Sequence, residues 1–455
     1  MEPCFTGAVK VTKRTALLDI FKAALQAVDP YRAVTRVLRS TGRTLDIGGT
    51  LYDRTSFDRI IVLGAGKATA RMAEAVEKTV GKSIAGGLII VKYGHRGNLS
   101  IIEQIEAGHP IPDEAGMRGT ARILEIVRSA DEKTLVLCLL SGGGSALLVS
   151  PLPGITLEDK QVTTDLLLKA GADINELNTV RKHLSAIKGG RLVQAAYPAS
   201  VATLILSDVI GDRLDVIASG PTVPDSSTYT DAELVISRYG LASAVPPRVT
   251  ALIERGSAGR EKETAKSGDA CFTMTQNVIV GGITLALEAA RAKAAFLGYN
   301  TEIHTAELKG ESRVVALALA KAALRIRSSM KQGEKRCLLS GGETTVTVRG
   351  KGKGGRNQEL ALAFALEISG LPGITLLSAG TDGTDGPTDA AGAVVDGFTA
   401  QKARECGIPP EAYLENNDSY TFFHKTDSAC GLNCHVLTGP TGTNVMDIHI
   451  ILIEG

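Results

Sequence analysis

Short apolar runs that end abruptly in polar, glycine-rich loops recur along this chain of 455 residues. From Thr15 to Arg39, apolar side chains at Leu18, Phe21, Ala24, Leu25 and Val28 keep helical spacing and predict a helix. Asp58 to Leu63 is a β-branched, strand-like run that breaks at Gly64-Ala65-Gly66-Lys67, and a helix pattern follows from Ala68 to Val80. Gly87 to Val91 is a further strand. Thr134 to Leu140 ends in Ser141-Gly142-Gly143-Gly144-Ser145, and Val201 to Leu206 ends in Ser207-Asp208-Val209-Ile210-Gly211-Asp212. Later come strands at Val278 to Val280 and Thr301 to His304, with helices at Leu285 to Leu297 and Val314 to Ile326.

Strand, loop and helix in alternation predict an α/β protein with parallel strands and helices on both faces. Ligands of such sheets bind beyond the carboxyl ends of the strands, where the polar loops fall. The length calls for two domains, taken as 1–255 and 256–455, with Gly256 to Gly268 (GSAGREKETAKSG) as a linker or surface loop near the boundary.

Composition adds restrictions. With no tryptophan and few aromatics, the core must come from Leu, Ile, Val and Ala. Net charge is +1 and no long basic run appears, so nothing calls for nucleic acid. No apolar run suits a bilayer span, and the start of the chain, with Lys10, Lys13, Arg14, Asp19 and Lys22, lacks a signal-peptide core. Seven cysteines without framework spacing predict reduced thiols and a cytoplasmic location. Cys430-Gly-Leu-Asn-Cys434-His435 has the look of a zinc knuckle but lacks a partner pair.

The richest segment is Leu338 to Asp396. An apolar run enters Ser340-Gly341-Gly342-Glu343, and a glycine-rich basic loop with Lys351 and Lys353 feeds Arg356-Asn357-Gln358-Glu359 into a helix. A strand at Ile374 to Leu377 then reaches an acidic loop with Asp382 and Asp385. Close-approaching amides, a helix N-terminus, cations and hard carboxylates together point to phosphoryl transfer. Gly350, Gly352 and Gly355 spell GxGxxG, which a glycine-dense loop meets easily; neither a Walker A pattern nor the protein-kinase signatures occur. Gly64 to Ala70 approaches a dinucleotide turn, yet the next strand ends in Val91-Lys92-Tyr93, without the acid that binds a ribose. Ser141 to Ser145 reads as an anion cradle rather than a nucleophile elbow. Asn178, Arg181, Ser185 and Lys188 share one face if helical; a solvated face is the simpler reading, and the Gly189-Gly190 end favours a site edge. Asp208 and Asp382 are the candidate metal carboxylates, while His95 and His109-Pro110 read as turn residues.

These strings together resemble the class II glycerate kinases, the ATP-dependent glycerate 2-kinase family. The resemblance is carried by GAGKA at Gly64, AGHPIPDEAG at Ala107, LSGGGSALL at Leu140 and ELNTVRKHLSAIKGGRL at Glu176. It continues through LSDVIGDRLDVIASGPTVPD at Leu206, LSGGETTVTV at Leu339, GKGGRNQELAL at Gly352, AGTDGTDGPTDAAGAVVD at Ala379, NNDSYTFF at Asn416 and TGPTGTNVMD at Thr438. It implies a Rossmann-like, doubly wound N-terminal domain, a C-terminal α/β domain with a MOFRL region near 336–452, and an active site in the cleft between them. It also implies ATP and a divalent metal such as Mg2+, with D-glycerate phosphorylated at position 2, and makes Lys67 and Arg356 functional positions.

Charge considerations add Asp208 as metal ligand or hydroxyl-orienting group, with Asp382 as the competing choice. Gly64, Gly66, Ser141, Gly142, Gly143, Gly144, Ser145, Asn178, Arg181, Lys188, Gly341, Glu343 and Asn357 are the expected substrate- or nucleotide-binding residues. The expected partners are ATP and D-glycerate, with no nucleic acid and no membrane, for a monomer or a homodimer. Two other readings stay open: an NAD(P)-dependent hydroxypyruvate reductase using the turn at Gly64, and a non-catalytic sugar-acid sensor.

Overall fold

The computed structural model describes residues 12–455; Lys10 lies outside the described residues. The chain divides into two compact units: Asp29–Gly282, and the residues up to Val28 together with Ile283–Gly455. The division expected at residue 255 therefore falls later, because Thr275–Gly281 is a strand of the first unit's sheet. The segment read as a linker or surface loop belongs to that unit, and its exposed residues 258–260 fit a surface loop. Thr264 and Ala265 are buried, and Ala265 accepts from the Asp225 amide and donates to the Gly189 carbonyl. The first expected helix is really two, Lys13–Ala27 and Pro30–Val37. Pro30 lacks an amide proton to continue the first and instead opens the second, which Asp29 caps.

Unit Asp29–Gly282 carries a small antiparallel sheet of β1 (Leu38–Thr41), β2 (Thr44–Ile47) and β3 (Thr50–Asp53). Its main sheet holds β4 (Arg59–Ala65), β5 (Ile84–Lys92), β6 (Glu103–Ala107), β7 (Thr134–Leu140), β8 (Ser200–Leu206) and β9 (Thr275–Gly281). The strand order is β6-β5-β4-β7-β8-β9 and every pairing is parallel. This is the doubly wound order, with the chain reversing direction across the sheet between β4 and β7. β7 is buried at every residue, as expected of an unbroken apolar run between two helical layers. Above the carboxyl ends of β4 and β7 lies the crevice this topology opens.

The other unit has β10 (Asn300–Glu311), β11 (Lys335–Thr345), β12 (Ile374–Gly380), β13 (Gly392–Asp396), β14 (His435–Val436) and β15 (Asp447–Glu454), in the order β10-β11-β15-β12-β13-β14. Only β10 and β11 pair in parallel; the rest of the sheet is antiparallel. The α/β class expected of this unit holds with a mixed sheet, in which the last strand β15 inserts between β11 and β12, antiparallel to both. Its register sets Asp447 opposite both Gly342 and Gly380. The core is aliphatic, around the buried helix Arg356–Glu367 and Phe422 and Phe423.

Among the described residues no helix is long and apolar enough to cross a membrane. Contrary to the reduced-thiol expectation, Cys406 and Cys430 are joined as a disulfide, while Cys138, Cys271, Cys337 and Cys434 are free and buried. That pairing takes Cys430 out of any knuckle with Cys434.

Candidate functional site

In the doubly wound unit, the loops after β4 and β7 interlock at the switch point. The Lys67 amide donates to the Gly142 carbonyl at 2.8 Å, and the Ser141 amide to the Ala65 carbonyl at 3.2 Å. Ser141 Oγ accepts from the Ala68 amide at 3.1 Å and lies 3.0 Å from the Thr69 hydroxyl, capping the helix Thr69–Val80. Ser141 is therefore a scaffold residue. So are Gly64 and Gly66: a Cβ on Gly64 would lie 2.1 Å from the Leu139 carbonyl oxygen, and one on Gly66 would lie 2.0 Å from Ser141 Oγ.

Lys67, Gly143, His109 and Asp208 gather on one side of this crossing. Gly143 has φ +87°, and a Cβ there would stand 2.9 Å from His109 Cδ2 and 3.4 Å from Lys67 Cγ. A Cβ on Gly142 would stand 2.3 Å from Asp208 Oδ2. Lys67 makes no ion pair among the described residues, and its carbonyl meets His95 Nδ1 at 3.1 Å. Burial, then the charges of Lys67, Lys92 and His95, hold the His109 imidazole down at about 4, so it is neutral near pH 7. The site is thus a cationic lip with one carboxylate, Asp208, beside a tight glycine turn. Sequence reading assigned His109 to a turn; its place against Gly143 depends on the loop after β6, which no local pattern reveals.

Ser145 connects this face to the next cluster. Its carbonyl accepts from Lys188 Nζ at 2.8 Å and from Arg181 Nη2 at 3.4 Å. Its hydroxyl is 2.9 Å from Ser219 Oγ, which donates to Asn178 Oδ1 at 3.0 Å. Gly144 packs on Ala218. The helix bearing Asn178 and Arg181 is Ile174–His183, so Ser185 and Lys188 lie beyond its end. The face for which solvation was the simpler reading is an inner one: Asn178 and Lys188 are buried.

In the second unit, the charged groups of Leu338 to Asp396 largely find their partners within the fold. Arg356 donates Nε to Asp447 Oδ2 at 2.6 Å and Nη2 to Asp447 Oδ1 at 3.0 Å, and its Nη1 bonds Glu343. Asp447 is fully buried and was not singled out from sequence. Asp385 fills the helix N-terminus read as an anion site. Its carboxylate accepts from the Asn357 and Gln358 amides at 3.0 and 2.9 Å. Asn357 is held from the other side by Ser378 at 2.9 Å, so it is a structural residue. Burial raises the Asp385 carboxyl to about 6.

The glycine loop before the helix is likewise occupied from within. The amides of Arg349 and Gly350 go to Asn417 Oδ1, that of Lys351 to Asn416 and that of Lys353 to Asp418. A Cβ on Gly350 would lie 2.1 Å from the Asn416 carbonyl oxygen, so these glycines serve close packing. Gly341 is similar, facing Ile283 at 2.3 Å from its built Cβ. Asp382 folds back on Thr384, and a Cβ on Gly380 would be 3.3 Å from Asp382 Oδ1 and 3.4 Å from Asp447 Oδ1. Among the described residues no three His, Cys, Asp or Glu side chains gather as a metal site.

Comparison with known proteins gives this arrangement a family. Residues 16–254 match the model of a domain of unknown function, DUF4147, and residues 336–447 match the MOFRL family. The chain is 43% identical to the D-glycerate 2-kinase of Thermotoga maritima, over 96% of this chain and 97% of that protein. It is 41% identical to a putative hydroxypyruvate reductase of Agrobacterium vitis, over 97% of this chain and 95% of that one. The crystal structure of glycerate kinase from Thermotoga maritima superposes with a TM-score of 0.84 at 42% identity, covering 97% of this chain and 99% of the other.

Proposed function

The chain belongs to the glycerate kinase family that joins a DUF4147 domain to a MOFRL domain, and from that premise we propose that it transfers the γ-phosphoryl group of ATP to D-glycerate, giving 2-phosphoglycerate and ADP. The observation that carries the chemistry is the switch-point crossing, where Lys67, without an ion pair among the described residues, stands beside Gly143 with Asp208 next to Gly142. Phosphoryl transfer asks the protein mainly for positioning and for charge facing the equatorial oxygens of the moving group. Lys67 supplies that charge, and the glycines let phosphate oxygens come close to the turn. Asp208 orients the attacking hydroxyl or holds a divalent cation. Magnesium needs only one or two protein carboxylates when substrate phosphates complete its shell, so Asp208 fits that ion without a preformed cage. When bound, the ion would neutralise charge on the phosphates.

Arg356 is proposed as the second cationic group of the reaction. Its bond to Asp447 fixes the guanidinium plane, leaving the edge bonded to Glu343 to exchange that partner for a substrate anion.

The reductase reading uses the same turn, and one relative carries that name. Two observations count against it. Gly66 is needed against Ser141 rather than for a pyrophosphate, and β5 ends at Lys92 without a ribose-binding acid. Purified protein with ATP, magnesium and D-glycerate should release ADP, and phosphorus NMR should show 2-phosphoglycerate. A 3-phosphoglycerate signal would overturn the regiochemistry. NAD(P)H oxidation with hydroxypyruvate and no ADP release would replace the kinase by the reductase, and tight glycerate binding without turnover by the sensor.

A further inference from the structure

Three cations converge on one cavity of the doubly wound unit, and no described residue gives any of them an anion. The cavity measures about 570 Å3. Lys160, Arg181 and Lys188 line it; the two lysines are 7% and 1% exposed. Lys160 Nζ donates to the Leu184 carbonyl at 3.2 Å, and Lys188 Nζ to the carbonyls of Ser145 at 2.8 Å and Ala218 at 3.4 Å. Among the described residues Arg181 reaches the Ser145 carbonyl at 3.4 Å. Among the described residues no carboxylate forms an ion pair with any of the three. The one acid on the wall, Asp165, is exposed and bonds Lys169 at 2.7 Å.

A buried charge without a counter-ion is costly, and three that repel one another are more so. Burial and the neighbouring cations hold Lys188 well below its ordinary range and bring Lys160 down to about 7. A fold retains such a cluster at a net cost to its stability unless an outside anion completes it. Nearby Lys182 shows the contrast, since it is buried but paired with Asp225 at 3.2 Å.

The remaining walls specify what kind of anion. Ile111, Val149, Leu168 and Leu177 give the cavity broad apolar surface. Glycerate carries one negative charge and no apolar face, so it would leave both the extra cations and those walls unused. A nucleoside triphosphate has both matching parts, a flat base and a string of phosphates. Ser145 ties the cations to the loop whose Gly143 touches Lys67, two residues away along the chain. We propose that this cavity is the nucleotide site, with the base against the apolar wall, the phosphates on Lys160, Arg181 and Lys188, and the terminal phosphate led along the Ser141–Ser145 loop to Lys67. The proposal rests on the kinase reading above and adds to it which unit holds the donor.

The test is calorimetric titration of the full chain with MgATP, alongside Michaelis constants for both substrates and melting curves. Arg181→Met should weaken ATP binding at least about tenfold, as loss of one charged phosphate partner does, and leave the KM for D-glycerate within about twofold. Lys160→Met should raise the melting temperature of the free protein, by relieving repulsion, and shrink the further rise that ATP produces. Leu168→Glu places a carboxylate at the mouth from an exposed position, so it should fold normally and still repel ATP. If the wild type binds and uses ATP but Arg181→Met and Leu168→Glu bind it equally well, the cavity assignment is overturned and the kinase reading stands. If the wild type neither binds nor consumes ATP, the kinase reading falls, and this assignment with it.

Discussion

Arg356 and Asp447 form a two-pronged ion pair, Nε to Oδ2 at 2.6 Å and Nη2 to Oδ1 at 3.0 Å, with the carboxylate fully buried and the guanidinium partly exposed. Replacing Arg356 by Ala would therefore do more than remove a reactive cation, because it strands Asp447 as an uncompensated buried charge. Turnover should collapse, and urea denaturation should show a loss of about 3–5 kcal/mol. The paired change Arg356→Gln with Asp447→Asn removes both charges together. It should recover most of that stability while staying inactive. Recovery of near-normal kcat in the double variant would sink the catalytic role.

Gly143 and Gly154 share φ +87°, but only Gly143 has neighbours where a Cβ would go. Alanine at either position meets the same left-handed backbone penalty, about 1–2 kcal/mol. Only at Gly143 would the methyl group press on His109 and Lys67. Gly143→Ala should lose most of its kcat/KM, whereas Gly154→Ala should lose only thermal stability. Equal activity in the two variants would show that this turn does not position the reacting groups.

The doubly wound unit was legible because β7 and β8 are mostly apolar runs, and both prove buried at every residue, as in a covered parallel sheet. For the second unit the same reasoning reached the α/β class but not the strand directions. Nothing in Ile448 to Ile453 announces that this last strand enters the middle of the sheet, yet that register brings Asp447 to Arg356. Around Arg356 the glycines and the helix N-terminus were visible, but their occupants were not. Asn416, Asn417, Asp418 and Asp385 come from loops far along the chain, and contacts between distant loops have no periodic signature. Lys67 and Asp208 were legible as candidates because each sits at a strand end, where the topology itself directs ligands. Pro30 had a local signal that the helical spacing around it masked.

Two buried groups of the second unit should oppose each other in their effect on acid stability. Burial holds His449 at about 4, so an unfolded chain takes up a proton there that the native state refuses. Its contribution is lost as pH falls from about 6.5 toward 4. Burial, with the Asp447 charge adding, raises Asp385 to about 6, so its contribution is lost as pH rises from about 4 to 6. Asp385→Asn keeps an acceptor at the helix start but removes the second trend. Urea midpoints followed over that pH range should fall more steeply on acidification in the variant than in the wild type. Parallel curves would mean that Asp385 does not carry the raised titration.

Lys67 should be readable through its neighbour as well as through turnover. Its charge is the second cause of the low His109 titration, after burial and ahead of Lys92 and His95. Lys67→Met should move the His109 midpoint up from about 4, yet keep it below the ordinary histidine value, since burial remains. Imidazole proton NMR against pH measures this without any substrate. In the kinase assay the same variant should lose about 10²–10³-fold in kcat, the usual cost of removing a charge that faces the transferring group. A shifted His109 with normal kcat would keep the geometry and remove Lys67 from the chemistry. An unmoved His109 would mean that the lysine points away from the Gly143 turn, and the crossing described here would lose its cation.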